Sequence, residues 1–226
     1  MTRAICTFVP LLGAALVASP AAAQVADADV TGFELGVRAG YSRPVGDRLA
    51  GEPLDRTFGS AIPFVLDAGY RVTPHLYVGG LISYAPLVLN KSALSCNNQA
   101  IDGPGDCSGS AIRIAADAQW RMSIGDAYAG WLGAGFGVER LSIDYESGCF
   151  DGPFSRVDTG FELAHVEAGA GMRINTGLVI GPFASYAAGL FRTSKTSGSC
   201  NGGGDVPDKT VHGTLILGLR AMYMVP

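Results

Sequence analysis

The chain is poor in lysine, in histidine and in long apolar runs, and each shortage excludes a class of protein. Of 16 basic residues only Lys91, Lys195 and Lys209 are lysines, and the chain carries a net charge of −4. Nucleic-acid binders need a basic footprint, so that class is set aside. There are three histidines, and no two cysteines are close enough to form a Cys-x-x-Cys pair, so no metal site is expected. The stretch 174–191 runs 18 residues without a charge, but it is interrupted by Asn175, Gly177, Gly181 and Pro182. A helical membrane protein is therefore not expected. The stretch GAGFG (133–137) has its third glycine misplaced for a dinucleotide loop, and no cofactor is expected.

The N-terminus reads as an export signal. A short basic start is followed by AICTFVPLLGAALVA and then SPAAAQ, with small residues suited to cleavage after Ala23. Cys6 lies inside the apolar part of this leader. Residues 1–23 are thus expected to be removed, leaving 24–226 as one exported domain. Loss of Arg3 leaves 15 basic residues, one fewer than the full 16, against 20 acidic ones, a net of −5. Four cysteines remain: Cys96, Cys107, Cys149 and Cys200. An even number in an exported chain points to disulfides. Cys96 with Cys107 is the economical local pairing, and the other two connectivities stay open.

What the chain has in plenty is alternation. In IRIAADAQWRMSI (112–124) the even positions are all apolar, whereas the odd ones carry Arg113, Asp117, Gln119, Arg121 and Ser123. On a helix these apolar residues would be spread around the axis; on a strand they share one face. The same period recurs at 32–42, 61–72, 75–85, 127–139, 161–174 and 214–225, with 177–191 as an eighth strand whose two faces are both apolar or small. Segments of this length match the ~9–11 residues that a tilted strand needs to cross a bilayer. Tight turns near 72–74, 125–126 and 175–177 alternate with long loops at roughly 43–59, 86–109, 140–159 and 193–209. In an up-and-down sheet, this places every long loop and all four cysteines at one end. That is the asymmetry of an outer-membrane barrel, with periplasmic turns and extracellular loops.

Alternation alone does not say which face is wet, since a soluble barrel of lipocalin type would use the same pattern with its faces reversed. Two features favour the membrane. Tyr41, Tyr70, Tyr84, Trp120, Tyr128 and Tyr223 sit near the ends of the apolar faces, as an aromatic girdle does. The polar faces carry Glu34, Asp67, Asp117, Glu139 and Glu167 against Arg38, Arg71, Arg113, Arg121, Arg173 and Arg220. Such near balance is demanded of an enclosed lumen, where unpaired charge is costly. Arg38 with Asp67, and Arg121 or Arg173 with Asp117 or Glu167, are the expected pairs. Glycines on that face (Gly36, Gly40, Gly69, Gly79, Gly133, Gly135 and Gly137) are expected to make room for the arginines.

On these segments and turns the chain resembles the small eight-stranded outer-membrane barrels of the OmpA transmembrane-domain and OmpX type. The resemblance covers the whole mature chain and implies an all-β, eight-stranded, antiparallel, up-and-down transmembrane β-barrel in the outer membrane. It also implies outer-membrane lipid as solvent, and periplasmic chaperones and the barrel-assembly machinery as partners in biogenesis. No appended periplasmic domain is expected, and the sequence ends Tyr-Met-Val-Pro where the family usually has a terminal aromatic residue. A structural role for a monomer with disulfide-tied extracellular loops is the leading expectation, ahead of binding through the loops, a small pore and a lipid A-modifying enzyme. His165 and Glu167 suggest a catalytic dyad, but no serine lies two or four residues away on their face, so no catalytic residue is assigned. His75 and His212, near strand ends, are expected to be structural.

Overall fold

The computed structural model describes residues 31–49, 51–90, 94, 107–145, 153–198, 202–206 and 209–225. The expected signal segment, Cys96, Cys149 and Cys200 lie outside the described residues. The long staves are β1 (Gly32–Leu49), β5 (Leu76–Leu89), β6 (Cys107–Ile124), β7 (Tyr128–Tyr145), β8 (Phe154–Arg173), β9 (Leu178–Gly198) and β11 (Val211–Met224). One further stave is broken at Ile62–Pro63 into β3 (Phe58–Ala61) and β4 (Phe64–Thr73). Short pieces β2 (Glu52–Pro53) and β10 (Gly202–Asp205) pair at the loop end, beside a single helical turn, α1 (Leu54–Thr57).

Every neighbouring pair is antiparallel, and the ring closes where β1 meets both β4 and β11. Val37 stands opposite Leu66 on one side and Ala221 on the other. Closure leaves no unpaired stave edge, the condition for a sheet to sit in hydrocarbon. The three tight connections have local causes. Thr73 Oγ1 accepts from the Leu76 N–H at 3.0 Å, Gly125 takes φ +67°, and Asn175 Oδ1 accepts from the N–H groups of Gly177 and Leu178, both at 2.9 Å.

The two faces are inverted relative to a soluble protein. Leu66, Phe136 and Leu219 are 60–66% exposed on the outer face, whereas Glu34, Asp67, Asp117 and Arg220 are at most 3% exposed inside. An apolar belt of this extent is far beyond the few hundred Å² that a soluble surface tolerates. Lipid is therefore its solvent. All six girdle aromatics face outward: Tyr70, Trp120, Tyr128 and Tyr223 toward the turn end, Tyr41 and Tyr84 toward the loop end. No helix among the described residues is long and apolar enough to cross a membrane; the strands do so instead.

Strand 177–191, whose facing the sequence leaves open, turns its odd residues inward. Phe183, Ala187 and Phe191 are buried, while Ile180 and Tyr186 face out. The staves also run further than alternation suggests. β7 reaches Tyr145 and β9 reaches Gly198, so much of the expected third and fourth loops is sheet, and Lys195 lies within a stave. The reason is visible in the outer faces there: above the apolar belt the outer face is polar, and in β7 the contrast reverses, with Leu141, Ile143 and Tyr145 buried inside and Ser142 and Asp144 on the outer face.

Candidate functional site

The lumen gathers most of the buried charged side chains among the described residues. Its core is a continuous set of ion pairs contributed by most of the staves. Arg38 Nε (β1) donates to Asp67 Oδ2 (β4) at 2.9 Å, and its Nη1 donates to Glu167 (β8). Arg220 (β11) donates to Asp67, to Glu167 Oε1 at 3.1 Å and to Gln119 Oε1 (β6) at 2.9 Å. Two carboxylates are thus shared between two guanidiniums, with Gln119 also donating to Asp117. Toward the turn end Glu34 accepts from Arg71 at 2.8 Å and from Arg121. Arg173 donates to Ser123 Oγ at 2.7 Å. Toward the loop end Arg113 Nε donates to Glu162 Oε2 at 2.5 Å, and Glu139 lies 2.7 Å from His212 Nε2.

Of the expected pairs, Arg38 with Asp67 is present. Arg121 instead meets Glu34, and Arg173 meets Ser123. Asp117 and Glu167 are taken by His165, Gln119, Arg38 and Arg220. Position along a strand does not carry this information, because the pairing depends on stagger across the barrel.

Glu162 is absent from the expected lumen set, and it completes the balance. In strict alternation residue 162 points to lipid. The register slips between Glu162 and Ala164 against β9, and a matching irregularity opposite β7 falls between Gly135 and Gly137. Leu163 and Ala164 both face outward, so Glu162 and His165, three residues apart, both turn inward and are 2% and 3% exposed. Six arginines (38, 71, 113, 121, 173, 220) then face six carboxylates (Glu34, Asp67, Asp117, Glu139, Glu162, Glu167).

His165 sits between two of those acids. Its Nδ1 meets Glu162, and its Nε2 lies 3.3 Å from Asp117 Oδ1. With both ring nitrogens engaged by carboxylates, the ring has none left to activate a nucleophile. Glu167, the other half of the candidate dyad, belongs to the arginines.

Aromatic rings line the cations inside. The Arg220 guanidinium lies 5.3 Å from the Trp131 ring, Arg121 lies 5.2 Å from Tyr77, and Arg38 lies 5.7 Å from Phe183. Desolvated cation–π contacts of this kind contribute ~2 kcal/mol. The space beside lumen glycines goes mainly to other groups than arginine. A Cβ on Gly36 would lie 2.3 Å from Asp67 Oδ1, and one on Gly135 would lie 2.4 Å from the His165 ring. One on Gly169 would lie 2.2 Å from Trp131.

Above the ion pairs the lumen turns apolar. Leu54, Phe58, Leu141, Phe191 and Val206 form a buried cluster, with Phe191 stacked on His212 at 4.3 Å. A cavity of about 50 Å³ lies between this cap and the charged layer, and another of about 50 Å³ lies below it beside Glu34 and Arg173. Nearer the loops Arg48 reaches Asp158 at 3.4 Å, within segments expected to be loop. Cys107 is buried at the loop end.

A closed antiparallel ring of eight staves, apolar outside and ion-paired within, is an outer-membrane β-barrel. Solved structures agree. The chain is similar to neisserial surface protein A (15% identity, 87% of this chain and 100% of that one, TM-score 0.50). It is also similar to a major outer membrane protein of Thermus thermophilus (10% identity, 87% and 100%, TM-score 0.52). The attachment invasion locus protein of Yersinia pestis matches at 16% identity over 85% of this chain and 99% of that one, with a TM-score of 0.48. No protein-family model and no curated protein sequence matches the chain. At these identities the likeness is one of fold, and the fold is that of the small eight-stranded outer-membrane barrels.

Proposed function

We propose that the protein is a closed structural barrel of the outer membrane that holds extracellular loops on a rigid stem. The observation that carries this reading is the stack of buried charge in the lumen: Glu34 with Arg71 and Arg121 toward the turns, then Asp67, Arg38, Arg220 and Glu167, linked through Gln119, Asp117 and His165 to Glu162 and Arg113, all capped by the apolar cluster around Phe58 and Phe191. An eight-stave interior is only wide enough for side chains to fill, and here ion pairs fill it. Passage would require separating buried pairs, each costing several kcal/mol. The protein reconstituted in a planar bilayer should therefore show no steady conductance; a sustained open level would overturn the proposal.

The same reading takes the protein as a monomer assembled by the barrel-assembly machinery after export, with Cys96 and Cys107 joined locally. A boiled sample in detergent should migrate differently from an unboiled one, as a barrel resistant to detergent requires.

A second reading, binding through the loops, is favoured by the height of the stem. β7, β8 and β9 continue past the apolar belt with serine, threonine and lysine facing out, which lifts the loops clear of the lipid. Deleting residues 146–152 should leave the heat-dependent mobility intact. Loss of whole-cell attachment to a glycan-coated surface in that variant would support loop binding, and unchanged attachment would count against it.

A further inference from the structure

Where β6, β7, β8 and β9 lie side by side, the outer face changes character within one residue step. Ile114, Val138, Phe161 and Leu190 stand in register and form a wholly apolar row. The next row toward the loops is Ile112, Arg140, Thr159 and Thr193; beyond it come Ser110, Ser142, Val157 and Lys195. The edge of the hydrocarbon on this flank falls between the first two rows.

A β-bulge adds a second cation at that edge. Gly160 pairs with Phe191 and Thr159 with Thr193, which leaves Arg192 as the extra residue. Its carbonyl accepts from the Val206 N–H at 2.8 Å, fixing the bulge, and its guanidinium lies 5.5 Å from the outward Phe161 ring. Arg140 and Arg192 thus border one groove, with the two threonine hydroxyls between them 2.5 Å apart. Neither arginine has an acidic partner among the described residues. Glu139, next to Arg140, points inward to His212. On the outer rows of these four staves the nearest acid is Asp144, two rows further out. Asp205 of β10 stands opposite Thr193, on the side of β9 away from Arg140.

We infer that this groove is a binding site for a phosphorylated lipid of the outer leaflet. Arg140 and Arg192, with the Thr159 and Thr193 hydroxyls, would hold a headgroup phosphate, and an acyl chain would lie along Ile114, Val138 and Phe161. Guanidinium forks suit phosphate oxygens, and charge-assisted bonds at a partly dehydrated edge are the strong ones. The apolar row below excludes a freely soluble anion as the best fit, because half of the groove needs hydrocarbon. Lys195 adds a further positive charge on the headgroup side. Arg43 also faces out near the loop end, but it stands on β1 opposite Leu215, with no second cation in register beside it among the described residues. This inference rests on the placement of the barrel in the membrane and not on the closed lumen.

The test is native mass spectrometry of the whole protein in detergent, titrated with bis-phosphorylated lipid A or with the same lipid after phosphatase treatment. The phosphorylated lipid should be retained at least about tenfold more tightly. R140Q/R192Q should abolish that preference, whereas R43Q should leave it unchanged. Equal retention of both lipids overturns the inference. So does full displacement by millimolar inorganic phosphate, which would mark a simple anion site. If R140Q/R192Q fails to give the heat-dependent mobility of a folded barrel, the wild-type comparison of the two lipids decides alone.

Discussion

Asp67→Asn is the sharpest perturbation of the lumen, because it removes one charge with almost no change of shape. Asp67 is 3% exposed and accepts from both Arg38, at 2.9 Å, and Arg220. An asparagine can still accept from one guanidinium, but its amide group then faces the other. One charge-assisted bond is lost, at ~1.5–3 kcal/mol. The network is also left with an unmatched positive charge. Arg38 and Arg220 both keep Glu167, and Arg220 keeps Gln119 at 2.9 Å, which limits the damage. The expected cost is therefore ~3 kcal/mol, the lower end of the range for breaking a buried pair. That is roughly a hundredfold in the folding equilibrium. The assay is reversible folding into phospholipid vesicles across urea, with the folded fraction read from unboiled gel mobility and extrapolated linearly. Combining Asp67→Asn with Arg220→Gln restores neutrality, so the double variant should cost less than the two single ones together by ~1 kcal/mol or more. A single-variant cost below ~1 kcal/mol, or strict additivity, would refute the claim that these charges are held as one enclosed unit.

Other consequences can be checked as directly. The chain has two tryptophans, Trp120 outward at 53% exposure and Trp131 fully buried in the lumen. In single-tryptophan variants, brominated acyl chains should quench Trp120 strongly and leave Trp131 nearly untouched; equal quenching would contradict the facing. Ala116→Arg, on the lipid face between Gly80 and Phe136, should destabilise insertion by ~2–4 kcal/mol in the same folding assay. Gly169→Val would drive a side chain into Trp131, whose ring already stands 2.2 Å from where a Cβ would be, and should lower stability by ~1–3 kcal/mol while Gly59→Ala, in open space, should not. Deleting Leu163 removes the extra residue of the bulge and leaves Glu162 and His165 two apart, so regular alternation still turns both inward; the barrel should keep its unboiled gel mobility, and a deletion that fails to fold would show that the bulge itself is required.

How far the sequence could be read follows from where a period of two is enforced. Between the girdles, one face meets hydrocarbon and the other meets charge, so each residue step is penalised if wrong, and the segment 112–124 announces its own facing. The broken stave at Ile62–Pro63 and the apolar interior of β9 mark where that contrast weakens. Phe183 and Phe191 face inward because guanidinium and imidazole rings need flat apolar surfaces beside them, a demand that looks like lipid exposure in a one-dimensional pattern. Above the belt there is water on the outside, so the outer face turns polar and the contrast reverses in β7 and fades in β8 and β9, and the upper parts of these staves read as loop.

Glu162 shows a different obstacle. Its side chain is placed by one inserted residue, and nothing in FELAHVEAG announces the insertion except its consequence. Counted strictly, an acid would stand on the lipid face among apolar neighbours, at a cost no barrel should bear. That conflict is a usable signal. A lone carboxylate at the wrong parity within a membrane strand argues for a bulge beside it, and the charge count, one carboxylate short of the six arginines until Glu162 is included, asks for the same residue. Arg192 obeys the same logic from the other side, since a bulge there turns a cation outward where lipid headgroups begin. In this barrel the two irregularities of β8 and β9 decide which charges face protein and which face the membrane edge.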